Sequence, residues 1–215
     1  MELGDLKQRL VEGDAQGARE LTKRALEEGH DPQTVLNDGL IAGMAVVGEL
    51  FERNEYFIPE MLLSARAMYG ALEVLRPALA STDFQPLGKA VMGTVQGDLH
   101  DIGKNLVGMM LEGSGFEVID LGSNVPSERF VQAVEESGAS VVGLSALLTT
   151  TLPAMEATVR ALREYDPAGQ VKVMVGGAPL TSAFADSIGA DGYAEDAPAA
   201  AALARRLIGD IKPRQ

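Results

Sequence analysis

The stretch GDLHDIG occupies residues 97–103 and joins an apolar segment, residues 90–95, to a segment with helical spacing. The apolar segment is typical of a strand, so the stretch forms a strand-to-helix turn, which is where α/β sheets bind ligands. It contains one histidine, His100, with a carboxylate, Asp98, two residues before it. A neutral imidazole is a common metal ligand and usually donates its other N–H to a carboxylate or carbonyl. The alternative interpretation is a polar turn that carries a surface histidine.

Composition limits the classes to which the protein can belong. The 215 residues, 46% hydrophobic and 23% charged, allow one large globular domain or two small ones. Without cysteine, any metal would be held by histidine, by carboxylates or inside an organic cofactor, and there are two histidines. The formal charge of −13 argues against a nucleic-acid partner. No apolar run reaches the length of a bilayer span and no signal sequence is evident, so we expect a cytoplasmic protein without membrane contact.

Residues 1–80 carry helical periodicity throughout and predict a small bundle of four helices joined by short loops. Asp31 followed by proline begins the third helix, which runs to about Arg53, and the fourth begins near Pro59. Turn-forming residues at 81–87 then interrupt the period. We interpret them as an interdomain linker.

From residue 88 to residue 215, short apolar runs alternate with helical segments. Five such units imply a parallel, doubly wound sheet, for which we expect the flavodoxin-like order 2-1-3-4-5. Its ligand site would lie at the carboxyl ends of strands one and three. The predicted strands are 89–95, 116–120, 140–144, 171–175 and 191–194, and the predicted helices begin near Gly103, Pro126, Thr151, Leu180 and Ala197.

Polar or glycine residues follow three of these strands. Asp98 and His100 follow strand one, the hydroxyl-rich run SALLTTT at 145–151 follows strand three, and Gly176-Gly177 follows strand four. Glycines let a ligand approach the backbone, and hydroxyl groups supply neutral hydrogen bonds. Neither of the phosphate-binding patterns GxGxxG and GxxxxGK[ST] occurs at the first turn. The three stretches therefore predict a deep slot for a large, mostly neutral organic ligand.

Together these residues carry a resemblance to a known group of proteins. The motif Asp98-x-His100-x-x-Gly103, then Ser145-x-Leu147, then Gly176-Gly177 resembles the three-part cobalamin-binding signature of methionine synthase, the methylotrophic corrinoid proteins and the cobalamin-dependent mutases. The resemblance implies that His100 replaces the cofactor's own benzimidazole as the lower axial ligand of cobalt. It also implies that the displaced nucleotide tail enters the slot.

In methionine synthase the ligand histidine is linked to an aspartate and to a serine hydroxyl, and Asp98 and Thr151 stand at those positions here. A loop that contacts the tail in the family corresponds to the region of Ala197. We therefore assign cofactor binding in this half of the chain to Asp98, Gly103, Ser145, Leu147, Thr149, Thr151, Gly176, Gly177 and Ala197.

The helical half resembles the cap module of methionine synthase and of the methylotrophic corrinoid proteins. The resemblance lies in VGELF at 47–51 and YFIPE at 56–60. It implies that Phe51, Phe57 and Ile58 cover the upper, methyl-bearing face of the cofactor. The alternative is that these residues form the core of the bundle. This alternative is strongest for Phe51.

The function implied is that of a methyl carrier that binds methylcobalamin or a related corrinoid. One methyltransferase would load a methyl group from a small methylated compound onto Co(I), and a second would pass it to tetrahydrofolate or a thiol. A reductive protein would reactivate the cobalt. No substrate-binding barrel is evident in the 215 residues, so we assign no catalytic residue and expect the cap to move about the linker to admit partners.

Three alternatives remain open at this stage. Cap and cobalamin pairs also occur in light-responsive regulators, although no basic DNA-binding segment is evident here. The small subunit of a carbon-skeleton mutase shares the three-part signature but would lack the helical cap. A phospho-acceptor receiver domain has the same topology, but Ser145 follows strand three where that chemistry needs aspartate.

Overall fold

The structure, a computed structural model, describes residues 3–80 and 85–209. These residues form two compact units: one comprises the described residues up to Pro86 together with Gly113–Gly115, and the other comprises Leu87–Glu112 and the described residues from Phe116 onward. The predicted class, helices followed by a five-stranded parallel sheet with helices, is confirmed. Within the linker predicted at 81–87, residues 81–84 lie outside the described residues.

In the helical unit, two helices begin directly after aspartates whose side chains cap them. The Asp14 carboxylate accepts the N–H of Gly17 at 2.9 Å, and the Asp31 carboxylate accepts that of Thr34 at 2.9 Å. Proline follows Asp31 at the first helical position. The elements are α1 (Leu3–Val11), α2 (Ala15–Glu27), α3 (Pro32–Thr34), a π-helical segment (Val35–Ile41), α4 (Ala42–Glu52) and α5 (Ile58–Ala80).

The π-helical segment lies inside the third helical stretch, where the sequence pattern predicts a plain α-helix. Glycines in this stretch pack closely on α1: a Cβ on Gly39 would lie 2.8 Å from Leu6 Cδ2, and one on Gly43 would lie 3.0 Å from Leu10 Cδ2. By length and composition, Pro32–Glu52 is the one stretch among the described residues that could cross a membrane. Because 44% of its most apolar window is buried and the core helix of a soluble protein passes the same test, this is weak evidence.

The second unit alternates strands and helices around one parallel sheet. Within the described residues, the strand order is β2-β1-β3-β4-β5, as predicted. The elements are β1 (Gly88–Thr94), α6 (Ile102–Gly113), β2 (Phe116–Asp120), α7 (Ser127–Ser137), β3 (Val141–Ser145), a 3-10 turn (Thr149–Thr151), α8 (Leu152–Tyr165), β4 (Lys172–Gly176), α9 (Ser182–Ser187), β5 (Gly192–Ala194) and α10 (Ala197–Gly209).

Strand register places the core and the ligand-facing edge of this sheet. Val91, Val142 and Val173 form a fully buried row across β1, β3 and β4, as expected for a sheet that is covered on both faces. Three residues further along, a second row crosses the carboxyl ends of four strands: Thr94, Ser145, Gly176 and Ala194. Strands β3 and β4 run one residue later than predicted, so Ser145 and Gly176 end their strands instead of following them.

Candidate functional site

Asp98 lies in the turn after β1, and its carboxylate is fully buried. One carboxylate oxygen, Oδ1, accepts the backbone N–H of His100 at 3.0 Å and lies 2.7 Å from the ring nitrogen Nδ1 of the same residue. The bond to the backbone closes a tight local turn of the kind that aspartate favours. It thereby sets the position of His100 relative to Asp98.

The other carboxylate oxygen, Oδ2, is held by the segment after β3. It accepts the backbone N–H groups of Leu147 at 2.7 Å and Leu148 at 3.1 Å. The Thr151 hydroxyl donates to it at 3.0 Å and also lies 2.8 Å from the Leu148 carbonyl. Asp98 and Thr151, which the resemblance links, are therefore in direct contact.

These donors determine the charge state of Asp98. Burial raises the pKa of the carboxyl, but the backbone N–H groups of Leu147 and His100 lower it more, with further lowering by the His100 ring and the Thr151 hydroxyl. The net result is a pKa well below the ordinary range for aspartate. Asp98 is consequently ionised at neutral pH in spite of its burial.

The His100 ring is positioned by this ionised carboxylate. Because a carboxylate anion only accepts hydrogen bonds, the proton of the neutral imidazole lies on Nδ1, and Nε2 is the nitrogen with a free lone pair. The side chain is 50% exposed, so half of the imidazole side chain is accessible. A carboxylate that fixes the tautomer in this way is the usual partner of a metal-binding histidine.

Thr94 also supports His100, although it lies outside the three parts of the signature. Its hydroxyl donates to the His100 backbone carbonyl at 2.9 Å, and the residue is fully buried at the end of β1. A hydroxyl residue directly after the apolar run at residues 90–93 of β1 is the signal that could have identified it. Thr94 and Asp98 thus hold the His100 backbone at its carbonyl and its N–H.

Close approach of neighbouring backbone explains why glycines occur at the end of β4 and after it, and the sequence does not reveal this approach. Gly177 has a left-handed φ of 134°, and a Cβ on it would lie 1.8 Å from the carbonyl oxygen of Ala146. A Cβ on Gly176 would lie 3.1 Å from the carbonyl oxygen of Ala194. The loops after β3 and β4 therefore approach each other so closely that Gly177 is required by the protein itself, whatever ligand approaches.

Gly103, in contrast, is not required by its protein surroundings. It lies in the first turn of α6, and a Cβ on it would meet no heavy atom within 4 Å. Large apolar side chains are exposed next to His100 in the sequence and in the segment that holds Asp98: Leu99 is 73% exposed, Ile102 is 76% exposed, and Leu147 and Leu148 are also exposed. Exposed apolar groups around a histidine fit a broad apolar ligand with a metal at its centre.

The remaining predicted residues of this unit occupy the same edge of the sheet or the elements that follow it. Ser145 is paired in register with Thr94 and Gly176 at the strand ends. Thr149 is exposed in the 3-10 turn, in the segment that holds Asp98. Ala197 is buried as the first residue of α10, whose N-terminus is capped by Asp196 through the N–H of Ala199 at 2.8 Å.

Phe51, Phe57 and Ile58 belong to the helical unit. Phe51 lies partly buried in the last turn of α4. Phe57 precedes α5 and is 58% exposed, although its backbone N–H is held by the Glu60 carboxylate at 3.0 Å in a capping arrangement. Ile58, the first residue of α5, is also exposed. Phe57 and Ile58 are therefore not core residues of the helical unit.

The number of possible metal ligands in the protein limits the kind of metal centre that it could hold. Within residues 3–80 and 85–209, no group of three or more His, Cys, Asp and Glu side chains could hold an ion. A metal bound at His100 would have to bring its other ligands with it. The donor set thus fits a metal inside an organic macrocycle, and the apolar surroundings of His100 fit the macrocycle.

Comparisons with known proteins agree with this site. Residues 88–202 match a B12 binding domain family, and residues 3–76 match a second B12 binding domain family. A corrinoid protein of Desulfitobacterium hafniense is 41% identical over 96% of this chain and 97% of its own length. Dimethylamine corrinoid protein 2 of Methanosarcina mazei is 48% identical over 83% of this chain and 84% of its own length.

Among solved structures, a chain of the methanol:cobalamin methyltransferase complex of Methanosarcina barkeri superimposes with a TM-score of 0.86. It is 30% identical, and the match covers 97% of this chain and 80% of that one. The sequence similarity and the similarity of fold therefore both extend over nearly the whole chain. The chain belongs to the family of B12-binding corrinoid proteins, and its cofactor is a corrinoid.

Proposed function

We propose that this corrinoid protein carries a methyl group on cobalt between two partner enzymes. One methyltransferase takes the group from a small methylated compound, and another passes it to tetrahydrofolate or a thiol. The observation that carries the proposal is the Asp98–His100 pair, in which a buried carboxylate holds Nδ1 of a half-exposed ring. The names of relatives, dimethylamine and trimethylamine corrinoid proteins, support methylated amines as the donor class.

When bound, the corrinoid supplies a cobalt ion that takes up and releases the methyl group. The chain would hold the cobalt through one histidine nitrogen, which we assign to Nε2 of His100. Asp98 and Thr151 orient that ligand and set its basicity through the hydrogen bonds described above. Ser145, Leu147, Thr149, Gly176, Gly177 and Ala197 contribute to the slot for the nucleotide tail, and Gly103 leaves room for the cofactor.

We propose further that residues 1–80 act as a cap domain and residues 88–215 as the cobalamin-binding domain. The match of residues 3–76 to a B12 binding domain family supports the first assignment and speaks against a mutase subunit, which would lack this part. Phe51, Phe57 and Ile58 cover the methyl-bearing face in the resting protein. Partner enzymes would gain access to the cofactor by displacing the cap domain.

The partners in this proposal are the two methyltransferases and a reductive reactivation protein, all in the cytoplasm. The test combines the purified protein, loaded with cobalamin, with methyltransferases encoded nearby and a panel of methylamines, methanol and aryl methyl ethers. Methyl transfer should require the loaded protein and one matching donor. If no donor and no partner supports transfer while cobalamin stays bound, the carrier function is wrong.

The ligand assignment is tested separately by His100→Ala. Protein labelled with 15N-histidine and loaded with cob(II)alamin should show 15N hyperfine coupling in the EPR spectrum, and His100→Ala should lose it. His30→Ala is the matched control because His30 lies outside the site, in the loop before α3. Coupling that survives in His100→Ala would contradict the assignment.

A further inference from the structure

Asn124, in the loop between β2 and α7, makes one hydrogen bond to the backbone of Gly97 and one to the backbone of Asp98. Its side-chain Oδ1 accepts the N–H of Gly97 at 2.8 Å. Its own backbone N–H donates to the carbonyl of Asp98 at 2.9 Å. Asn124 lies outside all three parts of the cobalamin signature, yet it contacts the two residues that lead into His100.

The backbone of Asn124 adopts an uncommon conformation to make these bonds. Its φ of 56° is left-handed, a conformation that is unfavourable for most L-residues and is tolerated best by glycine, asparagine and aspartate. Such conformations persist where the surroundings enforce them, and they concentrate at functional sites. Here the conformation directs both the N–H and the side chain of one residue to the Gly97–Asp98 turn.

The loop that carries Asn124 is itself fixed to β1 on both sides of that residue. On one side, the Leu121 N–H donates to the Met92 carbonyl at 2.8 Å, and the Thr94 N–H donates to the Gly122 carbonyl at 2.9 Å. On the other side, the Val125 N–H donates to the Thr94 carbonyl at 3.0 Å. Asn124 therefore provides a rigid support.

Asp98 is consequently held both at its carboxylate and at its backbone carbonyl. Its carboxylate is held by Leu147, Leu148 and Thr151 in the segment after β3. Its carbonyl is held by Asn124 in the loop after β2. Because the same carboxylate positions the His100 ring, the orientation of Nε2 depends on both supports.

We propose that Asn124 is a positioning residue for the axial ligand: its two hydrogen bonds fix the Gly97–Asp98 turn so that Asp98 presents His100 to cobalt. The proposal rests on the assignment of His100 as the cobalt ligand. It concerns this chain's own residues, so it can be tested both without the cofactor and with it.

Three variants separate the hydrogen bond from the backbone conformation. Asn124→Gly keeps the left-handed conformation accessible and removes the acceptor for Gly97. Asn124→Asp keeps an acceptor and tolerates the same conformation, so it should restore the parent behaviour. Asn54→Gly is the matched control, because Asn54 is also left-handed, with φ 58°, but lies after α4 in the helical unit.

The first measurement is amide hydrogen exchange at Gly97 in the cofactor-free protein. A hydrogen bond of typical net strength, about 1 kcal/mol, corresponds to about fivefold faster exchange when it is lost. We expect that increase in Asn124→Gly and parent rates in Asn124→Asp and Asn54→Gly. Parent exchange at Gly97 in Asn124→Gly would overturn the proposal.

The second measurement is the EPR spectrum of the same variants, labelled with 15N-histidine and loaded with cob(II)alamin. Asn124→Gly should show a smaller fraction of cobalt coupled to 15N, and Asn124→Asp should recover it. An unchanged fraction in Asn124→Gly would also overturn the proposal. Absence of 15N coupling in the parent would contradict the His100 assignment instead, and Gly97 exchange would still decide whether Asn124 holds the turn.

Discussion

Asp98 holds the His100 ring through one carboxylate oxygen, 2.7 Å from Nδ1, while its other oxygen receives three donors from the segment after β3. A single side chain thus couples the histidine turn after β1 to the loop after β3. All of these hydrogen bonds join groups of the protein itself, so the orientation of the histidine ring does not depend on contact with a corrinoid. Preorganisation of this kind lowers the free-energy cost of ordering the ligand on binding.

We expect Asp98→Asn to destabilise the cofactor-free protein by about 1–3 kcal/mol, because an amide cannot accept all the hydrogen bonds that the two carboxylate oxygens accept. Urea unfolding at pH 7 measures the change in free energy. Asp186→Asn, at an exposed aspartate in α9, is the matched control and should stay within about 0.5 kcal/mol of the parent. Equal stability of Asp98→Asn and the parent would show that these bonds contribute little.

The stabilisation by Asp98 should depend on pH in a defined direction. The folded-state pKa lies below the unfolded value, which is about 3.9. The stabilisation is therefore fully present above that value and is lost as the pH falls through the lower folded pKa. The difference in unfolding free energy between the parent and Asp98→Asn should persist from pH 7 to pH 5 and shrink below about pH 4. A difference that shrinks already between pH 7 and pH 5 would contradict the direction of the shift.

Thr151→Val should weaken the orientation of the ligand, whereas Thr151→Ser should preserve it. Valine removes the hydroxyl that donates to Asp98 at 3.0 Å, and serine retains it. Loss of a residue that supports a metal ligand typically reduces metal affinity or activity about 10- to 100-fold. Equilibrium binding of cobalamin to both variants measures the effect. Equal affinities for Thr151→Val and Thr151→Ser would show that the hydroxyl is not needed.

Gly103→Ala and Gly177→Ala should separate a glycine that leaves room for the ligand from one that the fold requires. Alanine at 103 meets no protein atom and should maintain or raise the stability of the cofactor-free protein by up to about 1 kcal/mol while lowering cobalamin affinity. Alanine at 177 would collide with Ala146 at a left-handed φ, which alone costs about 1–3 kcal/mol. Thermal unfolding and cobalamin binding of both variants give the comparison. A Gly103→Ala protein with parent affinity would remove the reason for assigning Gly103 to the cofactor.

Phe57→Ala should accelerate photolysis of bound methylcobalamin and leave corrinoid retention largely intact, because the residues assigned to the tail belong to the other unit. The ring is 58% exposed, so the variant should fold with a stability within about 0.5 kcal/mol of the parent. Tyr165→Ala is the control, because Tyr165 is an exposed aromatic residue at the C-terminal end of α8, whereas Thr151 lies at the N-terminal end of that helix. Photolysis at the parent rate in Phe57→Ala would contradict the cap assignment.

Much of the fold follows from local patterns in the sequence. The alternation of apolar runs and helical segments after residue 88 predicts the parallel sheet and its order, and both are confirmed. The three parts of the cobalamin signature stand near strand ends, and a parallel sheet brings its carboxyl ends to one edge. The sequence therefore determines the cofactor class and the edge at which His100 lies.

Only the tertiary structure decides how His100 is held. The donors to Oδ2 of Asp98 come from residues about 50 positions away, and the support at its backbone comes from Asn124. These contacts depend on the register of β1 with β3 and on a left-handed residue in a loop, neither of which leaves a periodic signal. Likewise, no periodic pattern in the sequence signals the close approach of Gly177 to Ala146 or the π-helical segment at Val35–Ile41. Sequence periodicity reports which face of an element is apolar, whereas hydrogen bonds between distant loops depend on ångström-scale packing that periodicity does not encode.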